Sequence, residues 1–176
     1  MLTCSQLSSY AKNIIGVSSS EALTLLLVMN ALGVPGRIIC GLTADRFLGP
    51  INTLIPVAFV AGVLFYCWAA VHDVGSLYVF CVLYGFFGAG IQSLFPASCA
   101  SLTTDLSKMG VRTGMCFSFI SIACLTGPPI AGALIQMHDG HYLYAQLFGG
   151  SAFVGGTCTL IAARIAKIGL DFKKRM

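Results

Sequence analysis

The sequence predicts an all-α membrane protein of about five transmembrane helices, and three observations carry that expectation. The 176 residues are 57% hydrophobic and only 9% charged, with a mean hydropathy of +0.88, whereas a soluble globular domain carries roughly a quarter charged residues. A soluble domain of this size still exposes roughly a third of the area its unfolded chain would expose, so it could not hide this much apolar surface. The apolar residues also gather into five stretches, each near the ~20 residues that cross a bilayer as a helix. Finally, the connections between the stretches are mostly short and made of turn-forming residues.

Taken in order, residues 1–16 are too often interrupted, by Ser5, Gln6, Ser8, Ser9, Lys12 and Asn13, to span a bilayer alone. They also lack the basic start and unbroken apolar core of a cleavable signal. They read as the end of a longer helix. The first span covers residues 22–42, and Ser18 followed by Glu21 has the capping-box spacing that would start it. Further spans are expected over 52–71, 77–101, 115–137 and 142–163. Phe47-Leu48-Gly49-Pro50, His72-Asp73-Val74-Gly75 and His138-Asp139-Gly140-His141 supply turns, and only the loop over 103–114 is longer. Such short loops imply antiparallel neighbours. Residues 1–176 therefore form one helical bundle with no internal linker, ending in a basic tail over 164–176.

Charge placement orients the bundle. If every span crosses, Arg37, Arg46, Lys108, Arg112, Arg164, Lys167, Lys173, Lys174 and Arg175 fall toward one side and only Lys12 toward the other. The positive-inside rule makes the crowded side, with the C-terminus, cytoplasmic. The membrane concerned, plasma or vacuolar, is left open. Five crossings put the termini on opposite faces, which together with the half-helix at 1–16 suggests a fragment of a longer protein; a genuine five-span chain with an external stub is the alternative.

Formal charge inside a span needs a reason, because it costs at least about 2.5–3.5 kcal/mol at the helix centre. Arg37 is such a charge. Asn30, Gly33, Arg37 and Gly41 recur at spacings of three and four, so they share one stripe that should face the bundle interior or a water-filled path. The plainer reading is that Arg37, roughly 7 Å from the span's end at 1.5 Å per residue, snorkels to the headgroups. An anionic substrate would suit its planar fork.

Span three carries Gly85, Gly88, Gln92 and Pro96 at helical spacing, and span four Ser118, Ser121, Pro128, Gly132 and Gln136. Most of these glycines should serve close packing in lipid, as should Gly149, Gly150, Gly155 and Gly156 in span five. Gly127-Pro128-Pro129 should bend or break span four, giving either a hinge or a static kink.

Several function classes fall away. Basic residues are too scattered for a nucleic-acid surface, and no carboxylate pair or nucleophile with a base lies within the membrane, so an enzyme is not expected. No cofactor is implied, and His138-x-x-His141 alone is a weak metal motif. The span cysteines, Cys40, Cys67, Cys81, Cys99, Cys116, Cys124 and Cys158, form no CxxC pair and read as small buried hydrophobes.

The stretch from Gly36-Arg37 through Gly41 to Ala44-Asp45-Arg46 resembles the G-R-x-x-x-G-x-x-A-D-R loop of the major facilitator superfamily. Asn30 through Arg37, Arg112-Thr113-Gly114 and the segment from Gly127-Pro128-Pro129 to Leu134 further resemble the C-terminal half of fungal proteins related to monocarboxylate transporters. The resemblance implies that the five spans are helices 8–12 of a twelve-helix fold, that residues 1–16 end helix 7, and that the N-terminal half is the missing partner. It also implies that Gly41, Asp45 and Arg46 belong to the gating loop and that Arg37 meets a substrate carboxylate. In similar transporters an acid four residues before that arginine couples to protons; here that position is Gly33, and Asn30 cannot take up a proton.

The expected function is therefore transport of a small solute, with a carboxylate-bearing one suggested by Arg37, by alternating access as a secondary carrier. Arg37, Asn30 and Gln92 are its substrate-binding candidates, and Gly127, Pro128 and Pro129 its helix hinge. The rival is a non-transporting membrane protein that packs against or regulates a full-length carrier.

Overall fold

Ser18 opens the first helix in the manner its spacing predicts. Its hydroxyl accepts from the Glu21 backbone N–H at 3.3 Å, and its own N–H donates to the Glu21 carboxylate at 3.0 Å. The computed structural model describes residues 7, 16, 18–69, 71, 73–103, 106–137 and 142–168. The expected end of an earlier helix over 1–16, the loop histidines His72, His138 and His141, and the tail beyond Ile168 therefore lie, Leu7 and Gly16 apart, outside the described residues.

Five long helices follow in order: α1 (Ser19–Thr43), α2 (Pro50–Trp68), α3 (Val74–Ser101), α4 (Met109–Met137) and α5 (Leu143–Ile168). All are long and apolar enough to cross a membrane, and the described residues contain no strand. The chain is thus an all-α, multi-pass membrane protein, as the composition requires.

The helices overrun the apolar stretches at several ends. α3 begins at Val74 rather than Leu77, and α4 begins at Met109 within the expected 103–114 loop, after a short 3-10 turn at Leu106–Lys108. Hydropathy marks where hydrocarbon ends, whereas backbone hydrogen bonding continues the helix into the headgroup layer. At the other end, α1 runs on through a π-helical turn, Ala44–Leu48, and stops where Gly49 adopts φ +84°. A side chain is strained at that angle, and Pro50 then starts α2 with its φ already suited to a first turn.

α1 buries Ala22, Leu25, Met29, Gly33, Gly36 and Cys40, a stripe spaced by threes and fours that packs on α3. The contact is backbone-close. A Cβ on Gly36 would lie 2.3 Å from the Phe86 carbonyl oxygen, one on Gly85 would lie 2.5 Å from the Met29 carbonyl oxygen, and one on Gly33 would lie 3.0 Å from the Ala89 Cβ. Small residues are what let two helices meet this closely in lipid.

α2 packs on α3 and on α5 through aromatic rings. Trp68 stacks on Phe80 at 5.5 Å, Phe80 on Tyr84 at 5.5 Å, and Phe65 meets Tyr84 edge-on at 5.4 Å, each arrangement favoured by ring quadrupoles. Gly149 and Gly150 of α5 sit beneath Phe65 and Tyr66, where a Cβ would come within 2.8 Å of either ring. Gly155 and Gly156 instead face open space, so packing within the described bundle explains only the first pair.

α4 is the peripheral helix. Ala131 is its buried residue, while Phe119 is 75% and Leu125 77% exposed. Of the bend or break expected at Gly127-Pro128-Pro129, a break does not occur, since α4 runs unbroken from Met109 to Met137. Pro128 and Pro129 withdraw the donors that would meet the Cys124 and Leu125 carbonyls, but the flanking bonds hold because hydrocarbon offers the backbone no competing partner.

The cysteines also divide. Cys40 and Cys81 are buried as expected, Cys67, Cys124 and Cys158 are exposed on their helices, and Cys99 and Cys116 are half-buried.

Gly36→Ala should force α1 from α3 and destabilise the bundle by about 1–3 kcal/mol, the usual scale of overpacking. Gly41→Ala, where a Cβ meets nothing within 4 Å, should be near neutral. Thermal melts of the two variants in detergent would check the contrast.

Candidate functional site

The α1–α3 crossing positions the central polar pair. Arg37 follows Gly36 at the point of closest approach and donates from its Nη2 to the Gln92 Oε1 at 3.0 Å. The two side chains, expected separately from the sequence, are thus brought together across the helices. Both are exposed on the face of the described bundle. Glu21, Asp45 and Asp73, the carboxylates among the described residues, stand at helix ends. Among the described residues, a neutral amide therefore meets the guanidinium and no carboxylate does.

The expected polar stripe of α1 is split by the packing. Gly33 is buried in the crossing, whereas Asn30 is exposed beside it and donates to the Leu26 carbonyl at 2.8 Å. Asn30 and Arg37 thus line the margin of the α1–α3 contact, and Gly33 does not share their exposure. Gly41 is half-buried one turn beyond Arg37, and Asp45 and Arg46 are exposed in the π-helical turn. Such turns re-aim side chains relative to an α-helix. Gly127 and Pro128 are half-buried and Pro129 exposed on α4, a different helix from Arg37 and Gln92. The serines of α4 turn inward on their own helix: Ser118 donates to the Gly114 carbonyl at 2.9 Å and Ser121 to the Ser118 carbonyl at 2.8 Å. No group of three or more metal-ligating side chains occurs among the described residues.

A second arginine was missed by sequence reasoning. Arg164 belongs to α5, which continues past Ala163 to Ile168, and not to a tail. It is only 4% exposed, and its Nε donates to the Asn52 Oδ1 at the start of α2. It also lines a small cavity of ≈ 50 Å³ with Ile51, Leu54, Ser98 and Leu160. The missed signal was periodicity: Gln146, Gly150, Phe153, Thr157, Leu160 and Arg164 recur by threes and fours, and all are buried or half-buried. Hydropathy alone ended the span just before the one member that carries charge.

A bundle of bilayer-length helices with arginines held at interhelical contacts is an integral membrane protein built around polar groups. The chain belongs to the Major Facilitator Superfamily, whose family model matches residues 2–169. It is similar to an MFS-type transporter of Gibberella zeae, 45% identical over 161 residues, which are 90% of this chain and 36% of the relative. It is also similar to the aspyridones efflux protein apdF of Emericella nidulans, at 34% identity over 85% of this chain and 30% of the relative. The agnestins efflux protein AgnL12 of Paecilomyces divaricatus is 36% identical over 90% of this chain and 36% of the relative. The chain spans about a third of the length of these curated relatives. No solved structure matches it.

Asn52→Ala removes the acceptor of the Arg164 Nε and should cost about 1.5–3 kcal/mol, the range for a hydrogen bond to a charged group. A lowered melting temperature in detergent, with Arg164→Ala adding little in the double variant, would check that the two act as a pair.

Proposed function

We propose that this chain is the C-terminal transmembrane bundle of a secondary carrier that moves a small, carboxylate-bearing solute by alternating access. The carrying observation is Arg37, an intramembrane cation whose described partner, Gln92, is neutral. Guanidinium has five donors, so one bond to Gln92 fixes its orientation and leaves others for a carboxylate fork. Asn30, two turns away on the same helix, adds polar contact to the same path. The family membership supports transport as the activity, with no enzymatic step. Two relatives are named as efflux proteins, so we take outward export as the direction.

On this reading α1–α5 are helices 8–12 of the twelve-helix fold, and the N-terminal half supplies the opposite wall of the cavity. The C-terminal end is cytoplasmic, which puts Asp45 and Arg46 at the cytoplasmic ends of the helices. There they hold one closed state, with Gly41 allowing close approach. Gly127, Pro128 and Pro129 let α4 flex, because two of its backbone bonds are already missing. Rocking of the halves about the Arg37 level then exposes the solute to each side in turn.

In the full-length protein, Arg37→Ala should abolish transport of small carboxylates by membrane vesicles while membrane abundance stays normal. Gln92→Ala should weaken apparent affinity about tenfold, the equivalent of one hydrogen bond of ~1.4 kcal/mol. Undiminished transport by the Arg37 variant would remove it from the site.

A further inference from the structure

The π-helical turn over Ala44–Leu48 ends on backbone carbonyls that need donors from beyond it, because Gly49 leaves the helix at φ +84°. The Gly49 N–H donates to the Ala44 carbonyl at 2.8 Å, and the Asn52 Nδ2 donates to the Leu48 carbonyl at 2.8 Å. Thr53 then meets the Gly49 carbonyl twice, from its backbone N–H at 3.1 Å and its Oγ1 at 2.9 Å. The turn is thus closed by the first residues of α2.

Asn52 has a second task. Its Oδ1 accepts from the Nε of Arg164, which is buried between α2 and α5. One amide therefore joins the end of the π-helical turn to the end of α5. The two bonds also fix which way the amide points, since a flip would set donor against donor at Arg164 and acceptor against acceptor at Leu48.

We propose that Asn52 and Arg164 are positioning residues for the turn that presents Asp45 and Arg46, fastening that turn to α5. The fastening stands on these bonds; its bearing on gating rests on the carrier reading given above. Asp45 and Arg46 are themselves exposed, while Ala44 and Gly49 at the two ends of the turn are buried. Their direction is accordingly set by the backbone beneath them. A π-helical turn is rarely stable alone, so the ties at its end decide whether it keeps its form. Arg164 acts on it without touching it. A guanidinium that donates to the amide oxygen polarises the amide and strengthens the Nδ2–H bond to Leu48. On the carrier reading, a shift of α5 against α2 turns Asn52 and releases the Leu48 carbonyl, so the last helix and the closing charges move together.

Asn52→Asp separates the two tasks, because a carboxylate keeps an acceptor for Arg164 and loses the donor to Leu48. Full-length variants in detergent would be read by hydrogen–deuterium exchange and by thermal melts. For Asn52→Asp the expected result is exchange about tenfold faster at the Gly49 amide, the equivalent of one net hydrogen bond, with a melting temperature close to wild type. Arg164→Met should quicken exchange at the same amide and lower the melting temperature as well. Wild-type exchange at Gly49 in either variant would overturn the proposal. So would a melting temperature for Asn52→Asp as low as that of Asn52→Ala, which would make the amide a brace and nothing more. Exchange is read without any solute, so a transporting Arg37→Ala variant would end the carrier reading and leave the fastening standing.

Discussion

The backbone contact between α1 and α3 is the constraint on which the polar geometry rests. In lipid the helices gain little from hiding apolar surface, because acyl chains solvate leucine as well as another helix does. Association must come from close van der Waals approach. Gly33 and Gly36 on one side and Gly85 on the other provide it, and Gly90 receives Cys40 where a Cβ would lie 2.6 Å from the sulfur. Only at that separation does the Arg37 guanidinium reach Gln92 across the interface. A residue with a Cβ at position 36 would move both ends of that bond, so the glycine face and the polar pair are one design.

The two arginines at interhelical contacts solve the same problem in different surroundings. Each donates to the carbonyl oxygen of a neutral amide, Arg37 to Gln92 and Arg164 to Asn52. An amide stabilises a cation by about 1.5–3 kcal/mol without neutralising it, which is comparable to the ~2.5–3.5 kcal/mol that hydrocarbon exacts from a charge. The difference is exposure. Arg164 is buried between α2 and α5, where its bond ties two helices at one end of the bundle. Arg37 is exposed at the edge of a contact, where the same chemistry leaves donors facing outward. Burial thus separates a brace from a cation at the edge of a contact.

Much of this architecture was legible in the sequence because bilayer thickness imposes length and hydrocarbon imposes composition. Five spans, the Ser18–Glu21 cap and the turn at Gly49-Pro50 follow from local chemistry alone. Helix ends were less legible, as at Met109 and Ile168, because a backbone keeps its hydrogen bonds beyond the point where side chains stop being apolar. That error hid Arg164. The stripe containing Asn30, Gly33 and Arg37 was visible as a period, but period does not say which edge of a stripe meets a neighbour; the close crossing buried Gly33 and left the polar pair outside. At Gly127-Pro128-Pro129 the missing donors weaken the helix without ending it, so of the bend or break that the motif offers, the break does not occur.

α4 then makes physical sense as a rod rather than a packed wall. Its backbone bonds are internal apart from the two gaps at the prolines, so it keeps its form while few side chains anchor it. Ser118, Ser121 and Thr126 bond to their own helix, which satisfies them without committing the helix to a neighbour. Movement of such an element disrupts few contacts. The opposite holds for α1 and α3, where small shifts meet backbone atoms almost at once. A bundle with one tight crossing beside the intramembrane charge and one loosely held helix can keep Arg37 fixed while another part of the structure changes position.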